Sequence, residues 1–193
     1  GFGADLGAEK FFDIKCRFGK LNPNAVVLVA TIRALKYNGG LTKDALSSED
    51  LGALEKGISN LEKHVENIKK FGVPALVVLN RFSFDTDKEI EFVISKCKEW
   101  GVKVAISELF SKGGEGGVDI AQKLCSLIEE TPSSFKPLYE LELPIQDKIE
   151  IVNKEIYGGA SVTFTDKALK EIKAIKDLGY GKLPVCMAKT QYS

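Results

Sequence analysis

The sequence lacks the signatures of several large protein classes. Its four cysteines include no Cys-x-x-Cys pair and its only histidine is His64, so neither a zinc site nor a disulfide framework is predicted. Basic and acidic residues number 27 each, and this balance argues against a nucleic-acid or anionic-membrane partner. No apolar run approaches the roughly 18 residues of a membrane span, and no signal-peptide pattern opens the chain. We therefore predict a cytoplasmic protein with small-molecule ligands and no metal-ligand cluster.

A loop that binds nucleotide phosphates is also missing. The spacing Gly-x-x-x-x-Gly-Lys-Ser/Thr occurs nowhere, because neither Gly-Lys dipeptide, at residues 19–20 and 181–182, has the upstream glycine. The three glycines within residues 1–7 miss the dinucleotide-binding spacing by one residue, and no predicted strand precedes them. Nucleotide chemistry is therefore expected to need residues outside this sequence.

Short apolar runs alternate with helical patterns along the first two thirds of the chain. The runs predict parallel strands, the first of them buried on both faces, at residues 25–31, 75–80 and 102–107. Helical spacing covers residues 48–71, 86–100 and 118–130, and Thr86 suits an N-cap of the second of these helices. This alternation predicts an α/β fold with a layered parallel sheet. Ligands of such sheets bind at the carboxyl ends of the strands, which makes residues 31–40, 80–87 and 107–117 the informative segments.

A stretch with two prolines, residues 131–137, interrupts this rhythm and predicts a boundary. We therefore expect an α/β portion over residues 1–132 and a small α+β lobe over residues 133–193. In the lobe we predict a short strand at 138–143, then helices at 145–157 and 167–178, with Thr165 as an N-cap. Cys97 and Cys125 fall on apolar helix faces, where buried small hydrophobes are expected.

Several residues after the predicted strands are candidates for chemistry. Arg33 and Lys36 present two cations suited to a phosphate, although Lys36 is equally compatible with a solvated helix face. Phe82 and Phe110 follow strand ends in loops, where the core needs no large aromatic; the alternative is that Phe82 or Phe84 packs under its own loop. The glycine turn at 113–117 leads into a helix N-terminus and suits an anion, or serves only as a connector.

Five motifs together resemble formate–tetrahydrofolate ligase, also called formyltetrahydrofolate synthetase. They span essentially the whole chain and read as follows: Gly1-Phe-Gly-Ala-Asp-Leu-Gly-Ala-Glu-Lys-Phe11, Val29-Ala-Thr-Ile-Arg-Ala-Leu-Lys-Tyr-Asn-Gly-Gly40, Phe71-Gly-Val-Pro-Ala-Leu-Val-Val-Leu-Asn-Arg-Phe82, Lys112-Gly-Gly-Glu-Gly-Gly117 and Leu183-Pro-Val-Cys-Met-Ala-Lys-Thr-Gln-Tyr192. Members of this family are longer and carry their P-loop upstream. The resemblance thus implies a middle-to-C-terminal portion that is inactive alone.

The resemblance implies ATP, magnesium and tetrahydrofolate as cofactors and substrates, and a homo-oligomer, generally a tetramer. By the family's pattern residues 1–132 are a nucleotide- and folate-binding portion with a P-loop-NTPase-like layered fold. Phe82 and Phe110 would sandwich the pterin ring there. A second set is expected to contact the nucleotide, with the folate tail as the alternative for Lys112; it consists of Asn80, Lys112, Gly113 and Gly114. Arg33 would bind formyl phosphate, and Asp5, in a charged cluster with Glu9 and Lys10, would orient magnesium or formate.

The chain departs from the family pattern at two positions. Phe110 stands where tryptophan is usual, which predicts weaker folate binding because stacking area and the indole donor are lost. Ser83 stands where proline is common, so a less rigid loop is expected. Two other functions stay open at this stage: a nucleotide-binding half-domain of another ligase or ATPase, and a non-catalytic fragment that keeps the fold.

Overall fold

The computed structural model describes residues 4–188, apart from the side chains of Asp5 and Leu6. The strands are β1 (Val26–Ala30), β2 (Ala75–Asn80) and β3 (Lys103–Ser107). The α-helices are α1 (Ala4–Lys10), α2 (Arg17–Gly19), α3 (Ile32–Asn38), α4 (Leu51–Lys70), α5 (Asp87–Glu99), α6 (Leu109–Lys112), α7 (Val118–Glu130), α8 (Ile145–Val152) and α9 (Asp166–Asp177). Two π-helical stretches, Phe11–Cys16 and Asn153–Tyr157, and two 3-10 turns, Lys43–Ala45 and Gly113–Gly117, complete the described elements.

The chain divides into two compact units. Pro23–Ser134 form the central unit, and Gly1–Asn22 with Phe135–Ser193 form the terminal unit. This grouping differs from the predicted division into 1–132 and 133–193, in which the first residues belong with the sheet. Side-chain hydrogen bonds explain the difference, because Asp13 Oδ1 accepts from Leu138 N at 2.8 Å and Arg17 Nη2 donates to Tyr139 O at 2.6 Å.

The central unit is built on a three-stranded parallel sheet in the order β1-β2-β3. Its register aligns Val26 with Ala75 and Leu76 with Lys103. Parallel neighbours need crossover connections, and α4 and α5, each between two consecutive strands, supply them. The predicted α/β parallel-sheet class is therefore confirmed.

The two faces of the sheet are covered unequally. Helix α7 packs on β2 and β3, where Leu76, Val78, Ala105 and Leu127 form one buried cluster. On β1, Val27 and Val29 stay 41% and 62% exposed, while Leu28 and Ala30 are buried. The expectation that this strand is buried on both faces is therefore wrong. The apolar run is real, but β1 is a sheet edge that α7 does not reach over.

Helix starts agree closely with the expected caps. The Thr86 hydroxyl accepts from Glu89 N while the Glu89 carboxylate accepts from Thr86 N, a reciprocal capping box at the start of α5. Thr165 caps α9 through Ala168 N, as the sequence predicts. Asp50 caps α4 through Ala53 N, a cap that was not predicted. No helix within residues 4–188 is both long and apolar enough to span a bilayer.

The terminal unit departs from the sequence prediction in its strand. Residues 138–143 form turns and bends instead of the predicted strand, because side chains of Asp13 and Arg17 occupy the backbone groups of Leu138 and Tyr139. Helix α8 starts after Pro144, and its continuation to Tyr157 is π-helical. In the central unit Cys97 is buried as expected, whereas Cys125 is exposed, because the face of α7 that carries it does not pack on the sheet.

Candidate functional site

Three strand ends bring the predicted site residues of the central unit to one edge of the sheet. Register pairs Ala30 with Leu79 and Asn80 with Ser107, so the strands end side by side. The ladder extends one step further, since Arg81 N donates to Ser107 O at 3.1 Å. Helix α3 follows β1, the loop 81–86 follows β2, and α6 follows β3. Arg33, Phe82 and Phe110 therefore follow three neighbouring strand ends, which is the edge where parallel sheets bind ligands.

Helix α3 carries the two predicted cations, but only Arg33 is exposed. The Thr31 hydroxyl caps this helix by accepting from Ala34 N at 3.1 Å. The Arg33 guanidinium lies over the ring of Phe84, with Cζ 5.2 Å from the ring centroid. Arg33 is thus held beside the loop that follows β2, with its charge available to a ligand.

Lys36 is fully buried. The expectation that it pairs with Arg33 to bind a phosphate and the alternative that it lies on a solvated helix face are therefore both wrong. Its Nζ donates to Glu89 Oε1 at 2.8 Å and to Ser48 O at 2.7 Å. Although burial opposes ionisation, the hydrogen bond from Lys36 lowers the pKa of Glu89. The same carboxylate accepts from Asp50 N at 3.1 Å. Lys36 therefore joins α3 to the starts of α4 and α5.

The loop after β2 is held by its own hydrogen bonds. Phe82 N donates to Asp85 Oδ2 at 2.8 Å, and Asp85 N donates back to Phe82 O at 3.1 Å. Burial raises the pKa of Asp85, whose other carboxylate oxygen receives no hydrogen bond in the described part of the chain. Phe82 and Phe84 stack in parallel, with centroids 5.7 Å apart and planes 5° from parallel. The interpretation of Thr86 as a helix cap is confirmed, and packing of Phe84 on its own loop is also seen.

Phe110 is the most exposed large apolar side chain described, with 95% of its surface accessible. It lies in the first turn of α6, directly after β3. A ring in this position contributes nothing to the core. An isolated exposed aromatic at the ligand-binding edge of a parallel sheet is suited to stacking on a flat ligand.

The glycine turn folds back on the residue that follows β3. Glu108 N donates to Gly116 O at 3.2 Å, and a Cβ on Gly116 would stand 2.4 Å from the Glu108 carbonyl. Gly113 has φ +59°, which favours glycine, whereas a Cβ on Gly114 would meet nothing within 4 Å. Lys112 Nζ contacts Glu108 Oε2 at 2.6 Å, and this hydrogen bond lowers the pKa of Glu108. The fold thus explains the glycines at 113 and 116 and leaves Gly114 without a structural reason.

The remaining predicted residues are placed as follows. Asn80 is the half-buried last residue of β2, beside Ser107 of β3. Asp5 belongs to α1 of the terminal unit, and its side chain lies outside the described residues. Within residues 4–188 no group of three or more His, Cys, Asp or Glu side chains is arranged to hold a metal ion. This donor set offers no preformed magnesium cage, and magnesium commonly needs only one or two carboxylates besides substrate phosphates.

A buried acidic pair in the terminal unit escaped the sequence analysis, which treated Glu9 as part of a charged cluster. Glu9 and Asp13 lie four residues apart, 6% and 0% exposed. Among the described residues no N–H or O–H group donates to either carboxylate oxygen of Glu9. Burial, with a further contribution from Asp13, raises the pKa of Glu9 to about 8. The π-helical turn that places Asp13 inward has no sequence signature, so burial of this pair could not be predicted from the sequence pattern.

Two cavities lie away from the strand ends. One of about 390 Å³, in the terminal unit, is lined by Pro144, Ile172 and Lys182 among others. The second, of about 560 Å³, lies at the start of β3 in the central unit, beside Lys103 and Lys123. Those two lysines are already engaged, with Glu130 at 2.7 Å and Asp119 at 2.9 Å. Neither cavity adjoins the candidate residues after the strands.

The chain matches a known protein family over its whole length. The sequence model described as Formate--tetrahydrofolate ligase matches residues 1–193, the full length of the chain. The match includes every segment that forms the strand-end edge, and it therefore bears directly on what that edge binds.

Proposed function

The chain belongs to the formate–tetrahydrofolate ligase family, and we propose that it takes part in the ATP-dependent ligation of formate to tetrahydrofolate. Membership implies a ligase with formate, ATP and tetrahydrofolate as substrates. In the proposed sequence the γ-phosphoryl group of ATP passes to a formate oxygen, giving formyl phosphate and ADP. The N10 lone pair of tetrahydrofolate then attacks the formyl carbon, the bond to the phosphate oxygen breaks, and the nitrogen loses its proton. The products are 10-formyltetrahydrofolate, ADP and phosphate.

Phe82 and Phe110 supply the folate wall in this proposal. Phe110 is 95% exposed and Phe82 is half-buried, so both rings have surface to offer. Burying one phenylalanine side chain contributes roughly 1.5–3 kcal/mol, and stacking on a flat ring adds about 0.5–1.5 kcal/mol. Two such contacts are enough to make the pterin ring the main anchor of the substrate.

Charged and glycine positions at the same edge supply the anion contacts. Arg33 is exposed, and its planar fork of donors matches the oxygens of formyl phosphate. Within residues 4–188 Lys112 pairs only with the partly exposed Glu108, so a phosphate can replace that carboxylate. Gly114 leaves room for close approach of a nucleotide, with Gly113 and Asn80 beside it in the proposal. These donors would stabilise charge on the transferring group as it develops.

Magnesium would accompany the nucleotide as its complex, and we assign no step to it. From the sequence alone, Asp5 is proposed to orient magnesium or formate. We also propose that the protein is cytoplasmic, that it assembles as a homo-oligomer, and that the chain by itself does not turn over. Light scattering on the purified chain measures the assembly, and formate-dependent phosphate release measures turnover.

The observation that supports this function best is the exposed Phe110 at the end of β3, beside the strand end that carries Phe82. The test is a calorimetric titration of tetrahydrofolate into the chain, repeated with Phe82→Ala and Phe110→Ala. Binding that is lost in both variants supports the folate wall. Retained affinity in both variants would assign the folate to another surface, and no binding to the folded chain would mean that this chain does not form the pocket.

A further inference from the structure

Phe84 joins two residues of the proposed site. Its ring stacks on Phe82 at 5.7 Å, with the planes 5° from parallel. Its face also carries the Arg33 guanidinium, at 5.2 Å. One side chain thus touches both a residue of the proposed folate wall and the residue proposed to bind formyl phosphate, although nothing in the family pattern gives Phe84 a role.

The backbone of this loop is fixed without help from Phe84. The paired hydrogen bonds between Phe82 and Asp85 close its turn, and the capping box of Thr86 and Glu89 ties its end to α5. The ring of Phe84 is half-buried and lies outside this network. Its contacts therefore act on side-chain orientation, and changing it leaves the course of the loop intact.

We propose that Phe84 is a positioning residue of the folate wall, which holds the ring of Phe82 in the plane that the pterin meets and keeps Arg33 beside it. The proposal rests on the proposed function and deepens it. A loop phenylalanine without a partner samples several rotamers, and ordering one such side chain on binding weakens affinity by about 2- to 13-fold. Stacking on Phe84 orders Phe82 before the substrate arrives. A pterin on Phe82 would extend the stack that Phe82 and Phe84 already form.

The test compares tetrahydrofolate affinity, by calorimetry, for the unsubstituted chain, Phe84→Leu and Phe84→Tyr. Leucine keeps apolar bulk but has no ring face, and we expect about 2- to 13-fold weaker binding. Tyrosine keeps the face and is expected to bind as the unsubstituted chain does. The matched control is Phe92→Leu, because Phe92 also pairs with a cation, Lys96 at 5.9 Å, but lies within α5. Thermal unfolding of each variant without ligand confirms that the fold is kept.

A double substitution separates positioning from direct contact. If Phe84 acts through Phe82, then Phe84→Leu has no further effect on affinity once Phe82→Ala is present. Equal additional loss in the double variant would show that Phe84 touches the ligand itself, and would overturn the positioning role. Unchanged affinity in Phe84→Leu, with Phe82→Ala still impaired, would overturn this inference and leave the folate wall standing. No binding by the unsubstituted chain would overturn both.

Discussion

Replacing Glu9 by glutamine should remove most of the pH dependence of the terminal unit's stability. Burial raises the pKa of Glu9 from an ordinary value of 4.5 to about 8, so between these pH values the folded chain holds a proton that the unfolded chain has released. Stability therefore falls as pH rises through that window. A shift of this size corresponds to roughly 5 kcal/mol at 1.36 kcal/mol per unit. Asp13 adds to the same trend, because burial raises its pKa too.

Two buried cysteines allow each unit to be followed separately. Cys16 belongs to the terminal unit and Cys97 to the central unit, and both thiols are buried. Maleimide labelling at increasing urea concentration, read by peptide mass spectrometry, gives an unfolding midpoint for each. From pH 6 to pH 8.5, we expect the Cys16 midpoint to fall steeply in the unsubstituted chain and much less in Glu9→Gln. The Cys97 midpoint serves as the internal reference.

The matched control is Glu140→Gln, which removes an exposed carboxylate from the same unit. It should keep the pH dependence of the unsubstituted chain at Cys16. If Glu9→Gln also keeps that dependence, Glu9 does not hold a proton in the folded state, and burial of an uncharged carboxyl is the wrong description. A dependence that vanishes in both variants would point to general charge repulsion instead.

Substitutions at Lys36, in the glycine turn and at Phe110 have defined outcomes. Lys36→Met leaves the buried Glu89 carboxylate without its cation and should cost about 3–5 kcal/mol in the urea unfolding of the central unit, of which adding Glu89→Gln should recover a large part. Gly116→Ala should lower the melting temperature, because its Cβ would stand 2.4 Å from the Glu108 carbonyl. Gly114→Ala should leave the melting temperature unchanged, because a Cβ there meets nothing within 4 Å. If Gly114 contacts the nucleotide, the same substitution should weaken ATP binding in equilibrium dialysis. Phe110→Trp should tighten tetrahydrofolate binding in a calorimetric titration through added stacking area; equal affinity would contradict the reading of this position as a weakened wall.

Continuous apolar runs and a helical period of 3.6 were enough to locate the strands and the longer helices of the central unit. The predicted second strand is β2 itself, the predicted helix at 118–130 is α7, and the capping residues at 86 and 165 stand where expected. These features depend on residues close in sequence, which is why they are readable. The exposed face of β1 could not be predicted in this way, because covering a strand depends on helices that are distant in the chain.

The same reasoning explains what was missed at the site. Arg33 and Lys36 stand three residues apart on one helix and are chemically alike, yet one is exposed and the other is buried against Glu89. Lys36 is buried because it pairs with Glu89, which lies 53 residues further along the chain. The missing strand at 138–143 has the same cause, since Asp13 and Arg17 engage its backbone from more than a hundred residues away.

In the candidate site, the sheet sets the positions of the residues and local hydrogen bonds set the orientations of their side chains. The sheet brings three strand ends to one edge, but local bonds within each following segment orient the side chains: a turn at Phe82 and Asp85, and a glycine fold-back at Glu108 and Gly116. Changes to exposed rings should accordingly alter ligand affinity without altering stability. Changes to Lys36 should alter both, because its ion pair joins α3, which carries Arg33, to the start of α5, which ends the Phe82 loop. If substitutions at Lys36 and Phe110 shift stability and affinity in the same proportion, the site is not a set of locally held loops on a rigid sheet.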